Sequence, residues 1–187
     1  MKKLLIIIFA LTVYGTQAQQ IKDFSLPDVR NNDQFTLSNH KQAKGLVIIF
    51  TSNICPYSVY YEGRITQLIS DYEDKGIQFV MINSHLEDKE SAEEMANKLS
   101  TWGLNVPYLA DKDQVVLRMF GATKSPEVYV LKPEGDFKVV YKGAIDNNPQ
   151  VATDVKDQYL KENLELLISG KPAQTGGRPI GCMIKKN

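Results

Sequence analysis

The chain is short of cysteine and of any charge imbalance. Its 187 residues hold two cysteines, Cys55 and Cys182, two histidines, His40 and His85, one tryptophan, and 22 basic against 22 acidic residues. Near-neutral charge with no long basic run excludes the electrostatic footprint that nucleic acid or an anionic membrane requires. Lys185 and Lys186 near the end are too small a cluster to supply one. No phosphate loop or nucleotide signature is present, so no bound organic cofactor is implied. Repeats and low-complexity segments are missing too, which leaves one domain with enough length for a sizeable core. The one sustained apolar run, Leu4 to Val13, is too short to span a membrane as a retained helix.

That run has another reading. Lys2 and Lys3 precede it and Thr16-Gln17-Ala18 follow it, the three regions of a secretory signal peptide cut after Ala18. Residues 1–18 are therefore expected to be removed, and the mature protein to be periplasmic or secreted, with no stable membrane insertion after cleavage. No cysteine follows the cut, so lipid attachment there is not indicated. Export implies an oxidising compartment, where two cysteines in one chain tend to become one disulfide.

What is present is organised around Thr51-Ser52-Asn53-Ile54-Cys55-Pro56-Tyr57-Ser58. Ahead of it, Gly45 to Phe50 is short, apolar and β-branched, the pattern of a fully buried strand. Behind it, Tyr57, Tyr60, Tyr61, Ile65, Leu68, Ile69 and Tyr72 recur at helical spacing, predicting one buried helix face that ends near Lys75-Gly76. Pro56 fits the first helical position, where a missing N–H costs nothing, so Cys55 falls at the cap. A thiol there faces unpaired amides and the positive end of the helix dipole, which favour the nucleophilic thiolate. The plainer reading is a small apolar side chain packed between strand and helix.

Ile77 to Asn83 is the next strand, and two apolar strands joined by a helix form a parallel, right-handed βαβ unit. Phe24 to Asp28 and Gln34 to Leu37, turning at Asn31-Asn32-Asp33, predict an N-terminal hairpin or edge segment, because Pro27 disfavours a central strand. A helix is predicted over Ser91 to Trp102, with Ala92, Met95, Ala96 and Leu99 on one face. Val106 to Leu109 reads as extended and Asp113 to Phe120 as a short helix. Glu127 to Leu131 and Phe137 to Lys142 make an antiparallel hairpin, and Val155 to Ser169 a last helix. A tail from Lys171 to Asn187 carries Cys182. The class is α/β.

Strand, cysteine at a helix start, strand, helices, then X-Pro opening a hairpin and a terminal helix resembles the thioredoxin fold over roughly Phe24 to Ser169. The N-terminal hairpin and the helix at Ser91 to Trp102 are similar to the redoxin branch, the alkyl hydroperoxide reductase and thiol-specific antioxidant group. Asn53-Ile54-Cys55-Pro56-Tyr57, paired with Ile180-Gly181-Cys182-Met183-Ile184-Lys185, resembles a peroxiredoxin-like subgroup ending in Gly-Cys-x-Ile-Lys. The resemblance implies a three-layer sandwich with a mixed central sheet and a flexible C-terminal tail. It also implies that Ser125-Pro126 is a cis-proline loop facing the reactive sulfur, with backbone free to pair with an extended substrate. Three positions depart from the families. Ser58 stands where thioredoxins carry their second cysteine, and Ile48 and Ser52 stand at the proline and threonine of the peroxiredoxin motif. Ser52 keeps a hydroxyl able to bond a peroxide.

From Gly170 to Cys182 the tail can extend about 40 Å at roughly 3.3 Å per residue, against an expected radius of gyration of about 15 Å. Cys182 can therefore reach Cys55, and proximity of the two is expected. In one reading Cys182 resolves an attacked or oxidised Cys55; in another the two form a permanent clip, constraining the unfolded chain by about 5 kcal/mol in the entropy account. The candidate site is then Cys55 and Cys182 as redox pair, with Ser52, Pro56, Tyr57, Ser58, Ser125 and Pro126 around substrate. Arg64 either aims charge at the cysteine or pairs with Glu62 or Asp71, and Glu127 reads as an exposed strand residue. A copper-binding relative of the fold uses two nearby cysteines and a histidine; here the second cysteine is displaced to the tail, so no metal site is expected. Three functions follow. They are thiol-disulfide exchange or thiol-dependent peroxide reduction fed by a reducing partner protein, a non-catalytic binding module with a structural disulfide, and a copper carrier.

Overall fold

The side chains of one central strand alternate between two apolar layers, and that alternation sets the architecture. The computed structural model describes residues 19–187; the predicted signal peptide lies outside the described residues. The chain runs through β1 (Gln20–Ile21), the hairpin β2 (Ser25–Pro27) and β3 (Gln34–Thr36), then β4 (Gly45–Phe50), α1 (Pro56–Tyr72) and β5 (Ile77–Asn83). It continues through α2 (Ala92–Trp102), β6 (Tyr108–Ala110), α3 (Val115–Phe120) and β7 (Lys124–Ser125). The hairpin β8 (Glu127–Glu134) and β9 (Asp136–Gly143), α4 (Tyr159–Ile168) and β10 (Cys182–Met183) complete it.

Six strands form one mixed sheet in the order β1-β9-β8-β4-β5-β6. β4, β5 and β6 are parallel, as the βαβ pattern predicts, and the direction reverses at β8, which pairs antiparallel with β4 and β9. Val47 and Ile49 of β4 point into the core shared with Ile65 and Tyr72 of α1 and Leu160 and Leu164 of α4. Leu46, Ile48 and Phe50 point the other way, against Phe24, Phe35 and α3. This is the period-2 pattern of a strand covered on both faces, and it gives three layers. Among the described residues no helix is long and apolar enough to cross a membrane.

Three local expectations shift. The buried stripe of α1 is Ser58, Tyr61, Ile65, Leu68, Ile69 and Tyr72; Tyr60 is half exposed and meets Tyr57 edge to face. Ala92 is exposed, so α2 buries only Met95 and Leu99 fully. α4 begins at Tyr159 rather than Val155, because Asn147 holds the preceding chain open: its side chain donates to Asp157 at 2.7 Å and accepts from the Lys156 amide at 3.0 Å. The tail is irregular from Lys171 to Ile180, yet it is fixed at several points. Gly177 O accepts from Ala144 N at 2.9 Å, Ile184 is buried in the second core, and Gln114 bonds Lys185 O and Asn187 N.

Candidate active site

The site lies where the parallel strands end. β4 leads into Thr51 and Ser52, β5 into Ser84 and His85, and β6 into Asp111 and Lys112, which gathers loop residues at the carboxyl edge of the sheet. Cys55 is the N-cap residue of α1 and Pro56 its first helical residue, as the sequence predicts. The Cys55 side chain accepts no capping hydrogen bond. Its sulfur is instead bonded to Cys182, with S–S 2.08 Å and Cα atoms 6.0 Å apart, across 127 residues of sequence.

The tail reaches Cys55 by joining the proline loop. Ser125-Pro126 is cis, as the fold resemblance implies, and Ser125 O lies 3.2 Å from Cys55 Sγ. β10 pairs antiparallel with β7, setting Cys182 opposite Ser125 and Met183 opposite Lys124, and Ile184 N donates to Thr123 O at 3.0 Å. Gly181 allows this approach, because a Cβ there would sit 2.2 Å from Ser125 O and 2.6 Å from its carbonyl carbon. Backbone cannot step aside as a side-chain tip can. Gly181→Ala is therefore expected to unseat the end of the tail, costing about 1–3 kcal/mol and speeding reduction of the disulfide by a small dithiol. Urea unfolding and a timed alkylation assay check this; unchanged values in both would contradict the packing described.

A buried polar cluster supports the cysteine loop from beneath. Glu90, almost wholly buried, accepts from Ser52 Oγ, from Asn53 N at 2.8 Å and from Asn83 Nδ2 at 2.6 Å. Ser52 Oγ in turn accepts from Cys55 N at 2.9 Å and Ile54 N at 3.2 Å. The Ser52 hydroxyl thus gives its proton to Glu90 and its lone pairs to the loop, so it is already engaged and not directed at a peroxide. Tyr108 Oη bridges Asn53 and Asn83. His85 Nε2 is 2.7 Å from Ser125 Oγ, and desolvation holds its pKa below the ordinary histidine value.

Lys112 Nζ donates to His85 O at 2.9 Å, and burial lowers its pKa from 10.5 to about 8. Between those values the unfolded chain carries a proton that the folded chain does not, so this group's contribution to stability rises with pH through the window. Its penalty is fully present below it. Burial raises the phenols of Tyr61, Tyr72, Tyr108, Tyr129 and Tyr141, with the opposite sign: the unfolded chain ionises first, and stability falls above about pH 10. Lys112→Met is expected to remove the rise between pH 8 and 10.5 while leaving the alkaline fall, as read by urea unfolding of the oxidised protein.

Of the residues singled out in the sequence, Cys55, Cys182, Ser52, Ser125 and Pro126 come together. Tyr57 is half buried and Pro56 exposed beside them. Ser58 is buried, and its hydroxyl has no hydrogen-bond partner among the described residues. Arg64 is not part of the site: it pairs with Asp146 at 2.5 Å, donates to Asn148 O and Pro149 O, and lies over the Tyr61 ring. Glu127 is buried rather than exposed, accepting from the Thr123 and Lys124 amides and the Tyr129 hydroxyl. Sequence reasoning missed Glu90, Asn83 and Lys112 and gave His85 no role here. The signal was a polar residue closing an apolar strand, as Asn83 closes β5. Among the described residues no group of three His, Cys, Asp or Glu could hold a metal ion.

A mixed sheet with a cysteine at a helix start, facing a cis-proline loop, defines a thioredoxin-like protein. The model of the AhpC/TSA family matches residues 18–141, and the chain belongs to that family. A hypothetical protein from Sinorhizobium meliloti 1021 is 30% identical, superposes with a TM-score of 0.83, and matches over 92% of this chain and 95% of its own. An uncharacterized conserved protein from Geobacillus kaustophilus is also 30% identical, with a TM-score of 0.83 and coverage of 91% and 92%. Peroxidoxin BcpB from Mycobacterium tuberculosis shares the fold at 16% identity, with a TM-score of 0.58 and coverage of 82% and 94%. No curated protein matches the sequence.

Proposed function

We propose that the protein is an exported thiol oxidoreductase that cycles Cys55 and Cys182 between dithiol and disulfide, exchanging electrons with a disulfide substrate and a reducing partner protein. The observation that carries this reading is the seating of Cys182 on the cis-proline loop, bonded to a cysteine at the start of α1. The tail supplies in space the second thiol that Ser58 does not supply in sequence. In the forward direction a Cys55 thiolate attacks a substrate disulfide, Cys182 attacks the mixed disulfide at Cys55, and two substrate thiols leave. The residues 1–18 pattern supports export, where such a bond persists.

Membership of the AhpC/TSA family favours a second reading, reduction of a peroxide. There the Cys55 thiolate attacks one peroxide oxygen, the O–O bond breaks and the other oxygen leaves as water or an alcohol; Cys182 then condenses with the Cys55 sulfenic acid to form the disulfide, releasing water. Engagement of the Ser52 hydroxyl by Glu90 favours disulfide over peroxide as substrate. The test is intact-mass analysis with thiol labelling of the reduced protein, before and after one equivalent of an oxidised dithiol or of hydrogen peroxide. Rapid return of the Cys55–Cys182 bond with the dithiol supports exchange, return with peroxide alone supports the second reading, and inert thiols leave a binding module with a structural clip.

Ser58 supplies a separate check. A buried hydroxyl with a free proton, one turn beyond Cys55, can turn toward a thiolate once the disulfide opens. Ser58→Ala is expected to raise the Cys55 thiol pKa in the reduced protein by about one unit, and to change the stability of the oxidised protein by less than about 1 kcal/mol. Alkylation rate against pH reads the first and urea unfolding the second.

A further inference from the structure

We propose that the two sulfurs have fixed, opposite roles in reductive turnover: the reducing partner attacks Cys182, and Cys55 is the leaving thiolate. This rests on the reading of the pair as a redox couple and names where its partner docks. Thiol-disulfide exchange requires an incoming thiolate to reach one sulfur and expel the other, and the rate rises as the leaving thiol becomes more acidic. Access separates the two sulfurs. Cys55 is 3% exposed, enclosed between the start of α1 and the Ser125 carbonyl, whose oxygen 3.2 Å away occupies one side of its sulfur. Cys182 is partly exposed, on a strand whose neighbours Ile180 and Met183 stand in solvent.

Leaving ability points the same way. Charge released on Cys55 appears at the positive end of a 17-residue helix, one turn from the unpartnered Ser58 hydroxyl. Charge released on Cys182 would appear on a side chain of a two-residue strand, which meets the start of α1 only through the Cys55 sulfur rather than belonging to the helix cap. In the first step the partner thiolate bonds Cys182 Sγ while the Cys182–Cys55 bond breaks and its electron pair leaves on Cys55. In the second, the partner's other thiol attacks its own sulfur in the mixed disulfide and expels the Cys182 thiolate, which takes up a proton. The partner is oxidised by two electrons and the chain reduced by two.

The tail stays seated through this exchange, because Ile184 is buried and Gln114 holds Lys185 O at 2.7 Å and Asn187 N at 2.9 Å. The partner must come to it. Ile54 precedes Cys55, Met183 follows Cys182, and Leu86 follows the His85 that bonds Ser125; with Ile180 these are large apolar side chains left 42% to 61% exposed. They suit a protein dithiol whose own cysteine is rimmed by apolar surface.

The test uses the oxidised full chain and glutathione as a monothiol probe, quenched in acid at the earliest resolvable times, alkylated and peptide-mapped. Glutathione on Cys182 with the alkyl label on Cys55, in at least about tenfold excess over the reverse, is expected. The reverse labelling overturns the proposal and leaves the redox reading intact, whereas a disulfide inert to glutathione and to dithiothreitol overturns both. As a second measurement, Met183→Gln is expected to slow reduction by thioredoxin roughly tenfold while leaving the dithiothreitol rate unchanged. Equal slowing by both reductants, or slowing of neither, contradicts docking of a protein partner at this rim.

Discussion

Cys182→Ser is expected to lower the unfolding free energy by about 3–5 kcal/mol relative to the oxidised protein, and to abolish turnover with disulfide substrates. The bond closes a loop of 127 residues, long enough for the unfolded-chain constraint to approach the upper end of that range. The anchors of the tail other than the sulfur survive the substitution, since Ile184 remains buried and Gln114 keeps its bonds. The variant is therefore expected to fold, with Cys55 reactive toward alkylating agents but unable to release a bound substrate thiol. Urea unfolding of the variant, beside the oxidised and reduced parent, measures the first effect. A loss below about 1 kcal/mol would mean that the tail is held almost entirely by its other contacts.

The second large effect is expected at Glu90. Glu90→Ala removes the acceptor for Ser52 Oγ, Asn53 N and Asn83 Nδ2 and leaves those donors facing a buried cavity. Each orphaned donor costs about 1–3 kcal/mol, so the total expected is about 3 kcal/mol or more. Glu90→Gln keeps one carbonyl oxygen but turns an NH2 group toward donors, and is expected to cost roughly half as much. The consequence for chemistry passes through Ser52, whose hydroxyl fixes the Cys55 amide. With Ser52 freed, the first turn of α1 loses its placement, and alkylation of reduced Cys55 is expected to slow. A Glu90→Ala protein as stable as the parent, with the same alkylation rate, would remove Glu90 from the account.

These two positions show what sequence discloses and what it conceals. The β4-Cys55-α1 junction was legible, because a β-branched run, a proline one residue past the cap and a helical apolar face are local signals. So was the antiparallel hairpin of β8 and β9, read from the apolar runs Glu127 to Leu131 and Phe137 to Lys142, and the nearness of Cys182 to Cys55 followed from tail reach and the count of two cysteines. Glu90 was not legible. It sits in the run Glu87-Asp88-Lys89-Glu90, which has the composition of a solvated turn, and its burial depends on a loop 37 residues earlier in the chain. Arg64 was given local partners because helical spacing offers only those, whereas its carboxylate comes from Asp146, 82 residues on. Glu127 looked exposed because strand alternation says nothing of the free amides at Thr123 and Lys124 that it satisfies.

The same pattern explains the tail. A glycine beside Cys182 permits close approach, but the partner of that approach, the Ser125 carbonyl, belongs to a loop that only the folded sheet brings near. Two influences then act on the disulfide in opposite directions. Stabilising a Cys55 thiolate at the helix start favours the reduced form, and a seated tail holding Cys182 in place favours the oxidised one. Every 30 mV of difference between them is about 1.4 kcal/mol for this two-electron couple. A titration against glutathione and dithiothreitol buffers, with thiol content read by alkylation and intact mass, gives the balance directly. A working redox pair places the midpoint above about −300 mV. A disulfide still intact well below that potential would be a permanent clip, and the protein would not be an oxidoreductase through these two sulfurs.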